Sequence, residues 1–192
     1  NNMEFKGAHK VDNGNFITRY DLDYETVDGK AKTYEMISRN PDIRTIEDLQ
    51  SPHVDAVVLI MTDPTGEKIL ISHEFRLAVG SWVYNFPAGL IDPGETPEVA
   101  AKRELKEETG LDLVEIRDSI GISYSAIGFS NEKNVCIVGI ADGEFHESSS
   151  TYEEIEAGWY TKAEVRDLLK NNEPFAARTQ AYCYLWSRDQ NA

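Results

Sequence analysis

The chain has 192 residues, of which 41% are hydrophobic and 28% are charged. This balance is typical of one globular domain with at most a small appendage, and it excludes the disordered and fibrous classes of protein. The 34 acidic residues outnumber the 19 basic ones and give a formal net charge of −15, which argues against nucleic acid as a partner.

The N-terminal part of the chain predicts β structure. Residues 16–39 alternate between polar and apolar side chains around a turn signal at 27–30, which is typical of a long β-hairpin. Prolines and polar residues at 40–52 break this alternation and indicate a connection. We therefore predict an N-terminal β unit over 3–52 and a main domain over 53–192.

The main domain combines strand and helix patterns. Apolar or alternating runs bounded by turn residues predict strands at 54–61, 68–75, 82–86, 113–123 and 134–141, and a last one ending at 159–160. Start and stop signals predict a helix over 97–109, between Thr96 as N-cap and Gly110 as the C-terminal stop. A capping box predicts a second helix at 161–170, and a third is expected at 175–188.

The cysteines and the apolar runs bear on the cellular compartment. Cys136 and Cys183 each lie inside a short apolar run, which favours buried thiols over a disulfide. No stretch reaches the roughly 18 apolar residues of a membrane span. The N-terminus also lacks the basic, apolar and small-residue regions that follow one another in a secretory signal. We therefore expect a cytoplasmic protein with no membrane partner.

Three carboxylates are crowded together on the central helix. Glu104, Glu107 and Glu108 are spaced three and four residues apart and share one helical face. Like charges at this spacing repel each other, and a hard divalent cation such as Mg²⁺ would reverse that repulsion. The other interpretation is a solvated acidic face with Lys102 and its basic neighbours as partners. The triplet alone leaves both interpretations open.

The residues around the triplet decide between them. The stretch from Gly89 to Leu111, G-L-I-D-P-G-E-T-P-E-V-A-A-K-R-E-L-K-E-E-T-G-L, resembles the Nudix box, G-x5-E-x7-R-E-U-x-E-E-x-G-U, where U is a bulky aliphatic residue. All nine specified positions match. The resemblance to the Nudix hydrolases implies an α/β/α sandwich with a mixed sheet and a loop–helix–loop metal site. The N-terminal antiparallel β unit would be added to that sandwich.

The box also has a physical logic. Gly89 and Gly94 allow the loop to approach the site, and Glu95 and Arg103 are placed to pair and hold the loop against the helix. By resemblance, the metal would be Mg²⁺, with Mn²⁺ as a substitute. Its ligands would be Glu104, Glu107, Glu108 and the carbonyl of Ala88. The implied reaction is metal-assisted hydrolysis of a diphosphate.

Residues outside the box reduce the range of expected substrates. Glu74-Phe75-Arg76 and the run from Asn85 to Asp92, N-F-P-A-G-L-I-D, resemble the ADP-ribose (ADP-sugar) pyrophosphatases, whose usual forms are Q-[FY]-R and E-x-P-A-G-x-I-D. The resemblance implies hydrolysis of ADP-ribose or a related ADP-sugar to AMP and a sugar phosphate. The implied substrate contacts are Phe16, Tyr34, Arg39, Arg76, Asn85 and Gly128. Glu153 would act as the general base.

Each of these roles has a structural alternative. Arg76 could be a surface ion-pair partner instead of a diphosphate ligand. Phe16 and Tyr34 could pack across the hairpin instead of stacking on adenine. Glu153 could be one more solvated acid of an acidic loop.

Two departures from the family pattern leave the substrate open. Asn85 stands where the family usually has Glu, and Ala126-Ile127-Gly128 stands where it usually reads Ser-Pro-Gly. Another nucleoside diphosphate derivative therefore remains an alternative substrate. A non-catalytic nucleotide sensor is the alternative from another class, although the intact acidic triplet weighs against it.

The hairpin also predicts assembly. A two-stranded hairpin is marginally stable alone, so residues 14–39 need a surface on which to pack. In the resembling family that surface belongs partly to the partner subunit. We therefore expect a homodimer in which the hairpin of one chain completes the site of the other.

Overall fold

The computed structural model describes residues 3–147 and 155–190. The strands in this part of the chain are β1 Glu4–Asn13, β2 Thr18–Glu25, β3 Ala31–Ser38, β4 Ala56–Thr62, β5 Lys68–Arg76, β6 Ser81–Asn85, β7 Ala88–Leu90, β8 Asp112–Tyr124, β9 Lys133–Asp142 and β10 Ile155–Thr161. The helices are α1 Ile46–Leu49, α2 Pro97–Thr109, α3 Lys162–Lys170 and α4 Ala177–Arg188. The chain forms two compact units, described separately below.

The first unit contains an antiparallel sheet of three strands in the order β1-β2-β3. The predicted hairpin is confirmed as β2 and β3, and its turn is closed by a hydrogen bond from Thr26 N to Lys30 O of 2.8 Å. Gly29 occupies this turn with φ of 82°, a conformation that favours glycine. Strand β1 was not predicted, because it is an exposed edge strand with two register shifts and no clear alternation.

The core of the first unit lies under this sheet. Tyr20, Leu22, Met36 and Ile43 are buried together. The Tyr20 hydroxyl donates to Asn40 O at 2.7 Å and accepts from Ile43 N at 3.1 Å, which fixes the connection after β3 to the sheet. That connection contains the short helix α1, Ile46–Leu49, which was not predicted from the sequence. Its N-terminus carries a capping box between Thr45 and Asp48.

A distant segment of the chain belongs to the same unit. Residues Ile122–Asn134 cluster with the residues before Ala56, although the predicted boundary near residue 52 assigns them to the main domain. Ile37 N donates to Phe129 O at 2.8 Å, and the Ser38 hydroxyl donates to Asn131 at 2.6 Å. These partners are more than 90 residues away in sequence, so local patterns could not assign the segment to this unit.

The second unit is built on the larger sheet, with strand order β10-β5-β4-β9-β8, β6 paired to β5, and β7 paired to β4. Val58 and Ile60 of β4 pack in one core cluster with residues of α3 and α4. Because side chains alternate along a strand, the buried Val57, Leu59 and Met61 face the opposite layer, where α2 contacts β4. The predicted fold class, a three-layer α/β arrangement with a small antiparallel β unit, is confirmed.

The predicted strands and helices of this unit occur within about two residues of their expected ends. The last helix begins at Ala177 instead of 175, because the chain before it runs beside β6. Tyr84 N donates to Pro174 O at 2.8 Å, and Ala176 N donates to Tyr84 O at 2.9 Å. The short strand β7 was not predicted, since three residues carry too little periodicity to show.

Both cysteines are free and buried, as predicted. Burial raises the pKa of the Cys183 thiol to about 12. Across the described residues, no helix combines the length and apolar content needed to cross a membrane.

Candidate active site

Helix α2 positions the candidate site, and its predicted ends are confirmed. The Thr96 hydroxyl accepts from Val99 N at 3.2 Å, Pro97 begins the helix, and Gly110 ends it with φ of 86°. The buried face of the helix carries small and aliphatic residues: Ala100, Ala101 and Leu105. The acidic triplet projects from the rest of the helix surface.

Arg103 joins the loop to the helix, as its spacing from Glu95 predicted. Its Nε and Nη2 both lie 2.8 Å from the two carboxylate oxygens of Glu95, in a bidentate pair. Nη2 also donates to Leu90 O at 3.1 Å, and Nη1 donates to Glu104 at 2.9 Å and to Glu107 at 3.2 Å. One guanidinium therefore orders the loop and two of the three candidate carboxylate ligands.

This pair gives the fold a pH dependence at acid pH. Hydrogen bonding to Arg103 lowers the pKa of Glu95 from 4.5 to about 2. When folding lowers the pKa of a carboxyl group, that group stabilises the folded protein at pH values above its pKa in the unfolded chain. The stabilisation is lost as the pH falls towards and through its pKa in the folded protein. We expect Glu95→Gln to unfold at a lower temperature than the wild type at pH 7, with the difference shrinking between pH 4.5 and about 2. Thermal unfolding across this range measures the effect, with Glu98→Gln, an exposed glutamate in the first turn of α2, as the control. A difference that does not change with pH would contradict the assignment.

Glu104 is held against the neighbouring strand. A Cβ added at Gly89 would overlap the Glu104 carboxyl group, so this carboxyl lies directly on the backbone beside Ala88. Gly89 is fixed there because it pairs with Val57 in the sheet. Burial raises the pKa of Glu104, and the nearby carboxylates of Glu107 and Asp92 add to this, while Arg103 opposes it.

The donor set fits a hard divalent cation. Carboxylates at 104, 107 and 108 and a backbone carbonyl at Ala88 are the oxygen ligands that such ions prefer. Among residues 3–147 and 155–190, no three side chains of His, Cys, Asp or Glu are already gathered as a ligand cage. Arg103 instead neutralises part of this charge, and a bound cation would stabilise the ionised form of the half-buried Glu104 carboxyl.

Arg76 and Asn85 lie at the ends of neighbouring strands. The Arg76 side chain is 59% exposed at the end of β5, with Nη1 3.9 Å from Glu74 Oε1. Asn85 Nδ2 donates to the same Glu74 oxygen at 3.0 Å. Asn85 Oδ1 accepts from the Thr179 hydroxyl at 2.9 Å. The structure thus brings Arg76 and Asn85 to one buried acid.

The other predicted substrate contacts lie in the first unit. The Tyr34 hydroxyl donates to Gly128 O, and Arg39 pairs with Glu132. Tyr34 also lines a groove of about 500 Å³, together with Lys32 and three further aromatic residues, Tyr24, Tyr124 and Phe129. Phe16 is 82% exposed between β1 and β2. Glu153 lies outside the described residues.

Residues 52–183 match the family model of the NUDIX domain. The chain belongs to the Nudix family. It is 31% identical over 100 residues to the ADP-sugar pyrophosphatase of Mus musculus, over 52% of this chain and 44% of that protein. It is 30% identical over 123 residues to the ADP-ribose pyrophosphatase of Bacillus subtilis (strain 168), over 64% of this chain and 58% of that protein. The matches thus span about half the length of these relatives.

A solved structure shows the same fold. The "ADP compounds hydrolase" superposes with a TM-score of 0.73 at 23% identity, over 96% of this chain and 92% of that one. Nudix hydrolases generally use divalent metal ions, and the oxygen donors on α2 and β7 of this Nudix chain fit that use.

Three residues around the Nudix site were given no role from the sequence, although Glu74 and Asp92 stand in the motifs quoted above. Glu74 is the buried partner of Asn85, Thr179 supports Asn85 from α4, and Asp92 lies 3.4 Å from Arg103. Asp92 could have been found from its place three residues before Glu95. No local signal shows Thr179, because it is 94 residues from Asn85.

Proposed function

We propose that this chain hydrolyses the diphosphate bond of ADP-ribose or a related ADP-sugar, giving AMP and a sugar phosphate, with Mg²⁺ as cofactor. The observation that carries the proposal is the Glu104 carboxyl, held half-buried against Gly89, which follows the exposed residue Ala88. The similarity to ADP-sugar and ADP-ribose pyrophosphatases supports the substrate class.

Residues of the second unit would bind the cation and the diphosphate. Glu104, Glu107, Glu108 and the carbonyl of Ala88 would hold the cation. The bound ion supplies charge neutralisation and a more acidic water molecule. Arg103 keeps Glu104 and Glu107 in place, and Arg76, exposed at the end of β5, binds the diphosphate.

The first unit would supply recognition of the nucleotide. Tyr34 presents its ring to an aromatic groove and is anchored through its hydroxyl to Gly128, which holds the ring in one orientation. Stacking of a base on an aromatic side chain is worth roughly 1–3 kcal/mol. Phe16 is the second stacking residue of the proposal, and its exposure leaves its ring free to meet a base. Arg39 supports the same region through Glu132.

Glu153 is proposed as the general base. A carboxylate acting mainly in the transition state should change the rate constant more than the substrate affinity. We expect Glu153→Gln to lower kcat by about 100-fold with little change in KM. Steady-state kinetics beside Glu154→Gln as the control measure this. A change confined to KM would reassign Glu153 to binding.

The active species is proposed to be a homodimer that shares its site. The first unit has three strands and its own core, so the instability of a lone hairpin no longer supports this proposal. Exposed apolar residues support it instead: Phe16, Ile17, Val114, Ile116 and Ile120. We expect light scattering to give twice the 21.6 kDa of one chain, and activity to fall on dilution as the dimer dissociates. A monomer that stays fully active at nanomolar concentration would refute the shared site.

One assay tests the function itself. Purified protein is incubated with Mg²⁺ and a panel of nucleoside diphosphate sugars and dinucleotides, and the products are identified. We expect AMP and ribose phosphate from ADP-ribose. The changed residues Ala126-Ile127, next to the proposed substrate contact Gly128, favour a second candidate, another nucleotide sugar, which the panel would reveal as a faster substrate. Nucleotide binding without hydrolysis of any substrate would identify a sensor.

A further inference from the structure

Glu74 is a carboxylate buried at the end of β5, with only 5% of the residue exposed. A buried charge is costly unless it is paired and hydrogen-bonded. Here the partners are the Asn85 amide at 3.0 Å and, more distantly, the Arg76 guanidinium at 3.9 Å. On the neighbouring strand β10, the apolar Ile155 stands opposite Glu74.

From Glu74 a chain of hydrogen bonds leads towards the candidate metal site. Asn85 accepts from the Thr179 hydroxyl at 2.9 Å, and that hydroxyl accepts from Phe86 N at 3.0 Å. The chain therefore joins β5, β6 and α4 at one point. It ends on the backbone of Phe86, two residues before the Ala88 carbonyl.

The residue types of Glu74 and Asn85 differ from those in the ADP-ribose pyrophosphatase motifs that the sequence otherwise resembles. The usual motifs carry Gln at the position of Glu74 and Glu at the position of Asn85. Each arrangement contains one acid and one amide, so each provides a donor facing an acceptor. In this chain the acid is on β5 and the amide is on β6.

We propose that Glu74 and Asn85 form an exchanged acid–amide pair that positions Arg76 and the segment from Phe86 to Ala88. Both ends of the Asn85 amide are engaged within the protein, which assigns it to positioning instead of substrate contact. The effect on Arg76 rests on the proposed function, in which this arginine binds the diphosphate. The pairing itself does not, and stability alone tests it.

The first experiment exchanges the two groups without changing their shape. Asn85→Asp sets two carboxylates against each other, and we expect its Tm to fall by about 10 °C. Glu74→Gln keeps an acceptor for Asn85 and should cost about 3 °C. In Glu74→Gln/Asn85→Asp the amide of residue 74 can donate to the new carboxylate, so its Tm should return to within about 3 °C of the wild type.

Two controls accompany this double-mutant cycle of Glu74→Gln, Asn85→Asp and the double variant. Asn15→Asp adds the same charge at an exposed position and should leave the Tm nearly unchanged. If Asn85→Asp does not fold, a folded double variant still demonstrates the rescue. A double variant as unstable as the sum of the single effects, or one that does not fold, would overturn the pairing.

The second experiment measures positioning through KM. Glu74→Gln removes a negative charge near an anionic substrate, so electrostatics alone would lower KM. If Glu74 positions Arg76, KM for ADP-ribose should instead rise about fivefold with kcat nearly unchanged. A KM that falls or stays constant in the folded variant would overturn the positioning role. An inactive wild type would contradict the proposed function and leave the stability cycle to decide the pair.

Discussion

Replacing Glu104 with glutamine should lower the proposed turnover of ADP-ribose by about 100-fold or more while the protein stays folded. The change removes one negative charge from the proposed cation ligands but keeps the size of the side chain. Its amide can still lie against Gly89, where the carboxyl lies now. We expect a similar loss for Glu108→Gln, one turn further along α2. Steady-state kinetics over a range of Mg²⁺ concentrations, with circular dichroism for folding, provide the measurement.

The same helix offers a matched control for this prediction. Glu98→Gln makes the identical substitution in the first turn of α2, on an exposed residue. Its activity should match that of the wild type. Near-normal turnover of Glu104→Gln at saturating Mg²⁺ would refute the metal assignment. A weaker affinity for Mn²⁺ in the variant, measured by electron paramagnetic resonance, would support it.

Substituting Gly89 with alanine should also lower turnover by about 100-fold, although it changes no charged group. A Cβ at this position would occupy the space of the Glu104 carboxyl group. Pairing with Val57 holds the backbone of Gly89 in the sheet, so the Glu104 carboxyl must move from its present place. Displacement of a catalytic group by about 1 Å can cost roughly 100-fold in rate.

A second glycine in a strand provides the control for the general effect of replacing glycine with alanine. Gly121 of β8 has no heavy atom within 4 Å of an added Cβ, so Gly121→Ala should leave the kinetics unchanged. Steady-state kinetics and thermal unfolding of both variants provide the comparison. A Gly89→Ala variant with the turnover of the wild type would show that the close approach of Glu104 to the strand is not needed.

The parts of the molecule that sequence could predict are those fixed by local interactions. Thr96, Pro97 and Gly110 act within one turn of the ends of α2, and the structure places these ends where the sequence predicted them. The Glu95–Arg103 pair likewise spans eight residues and one loop. Such contacts leave a spacing in the sequence that physical chemistry can interpret.

The parts that could not be predicted depend on contacts between distant residues. Tyr34 and Gly128 are 94 residues apart, as are Asn85 and Thr179. Nothing in the residues near Asn85 shows that Glu74 is buried beside it. Strand β1 was not predicted for another reason. An exposed edge strand with bulges has no buried face, so its sequence need not alternate between polar and apolar residues.

The two buried thiols allow opening of the second unit to be followed at two places. Cys136 lies in β9 and Cys183 in α4, and both are shielded from solvent. Alkylating reagents attack the thiolate, which is scarce at Cys183 near neutral pH because burial raises its pKa to about 12. Labelling therefore requires each element to open first. In the Cys136→Ala variant, the labelling rate of the remaining Cys183 reports the opening free energy of the C-terminal helix, and in the Cys183→Ala variant, labelling of Cys136 reports that of the sheet.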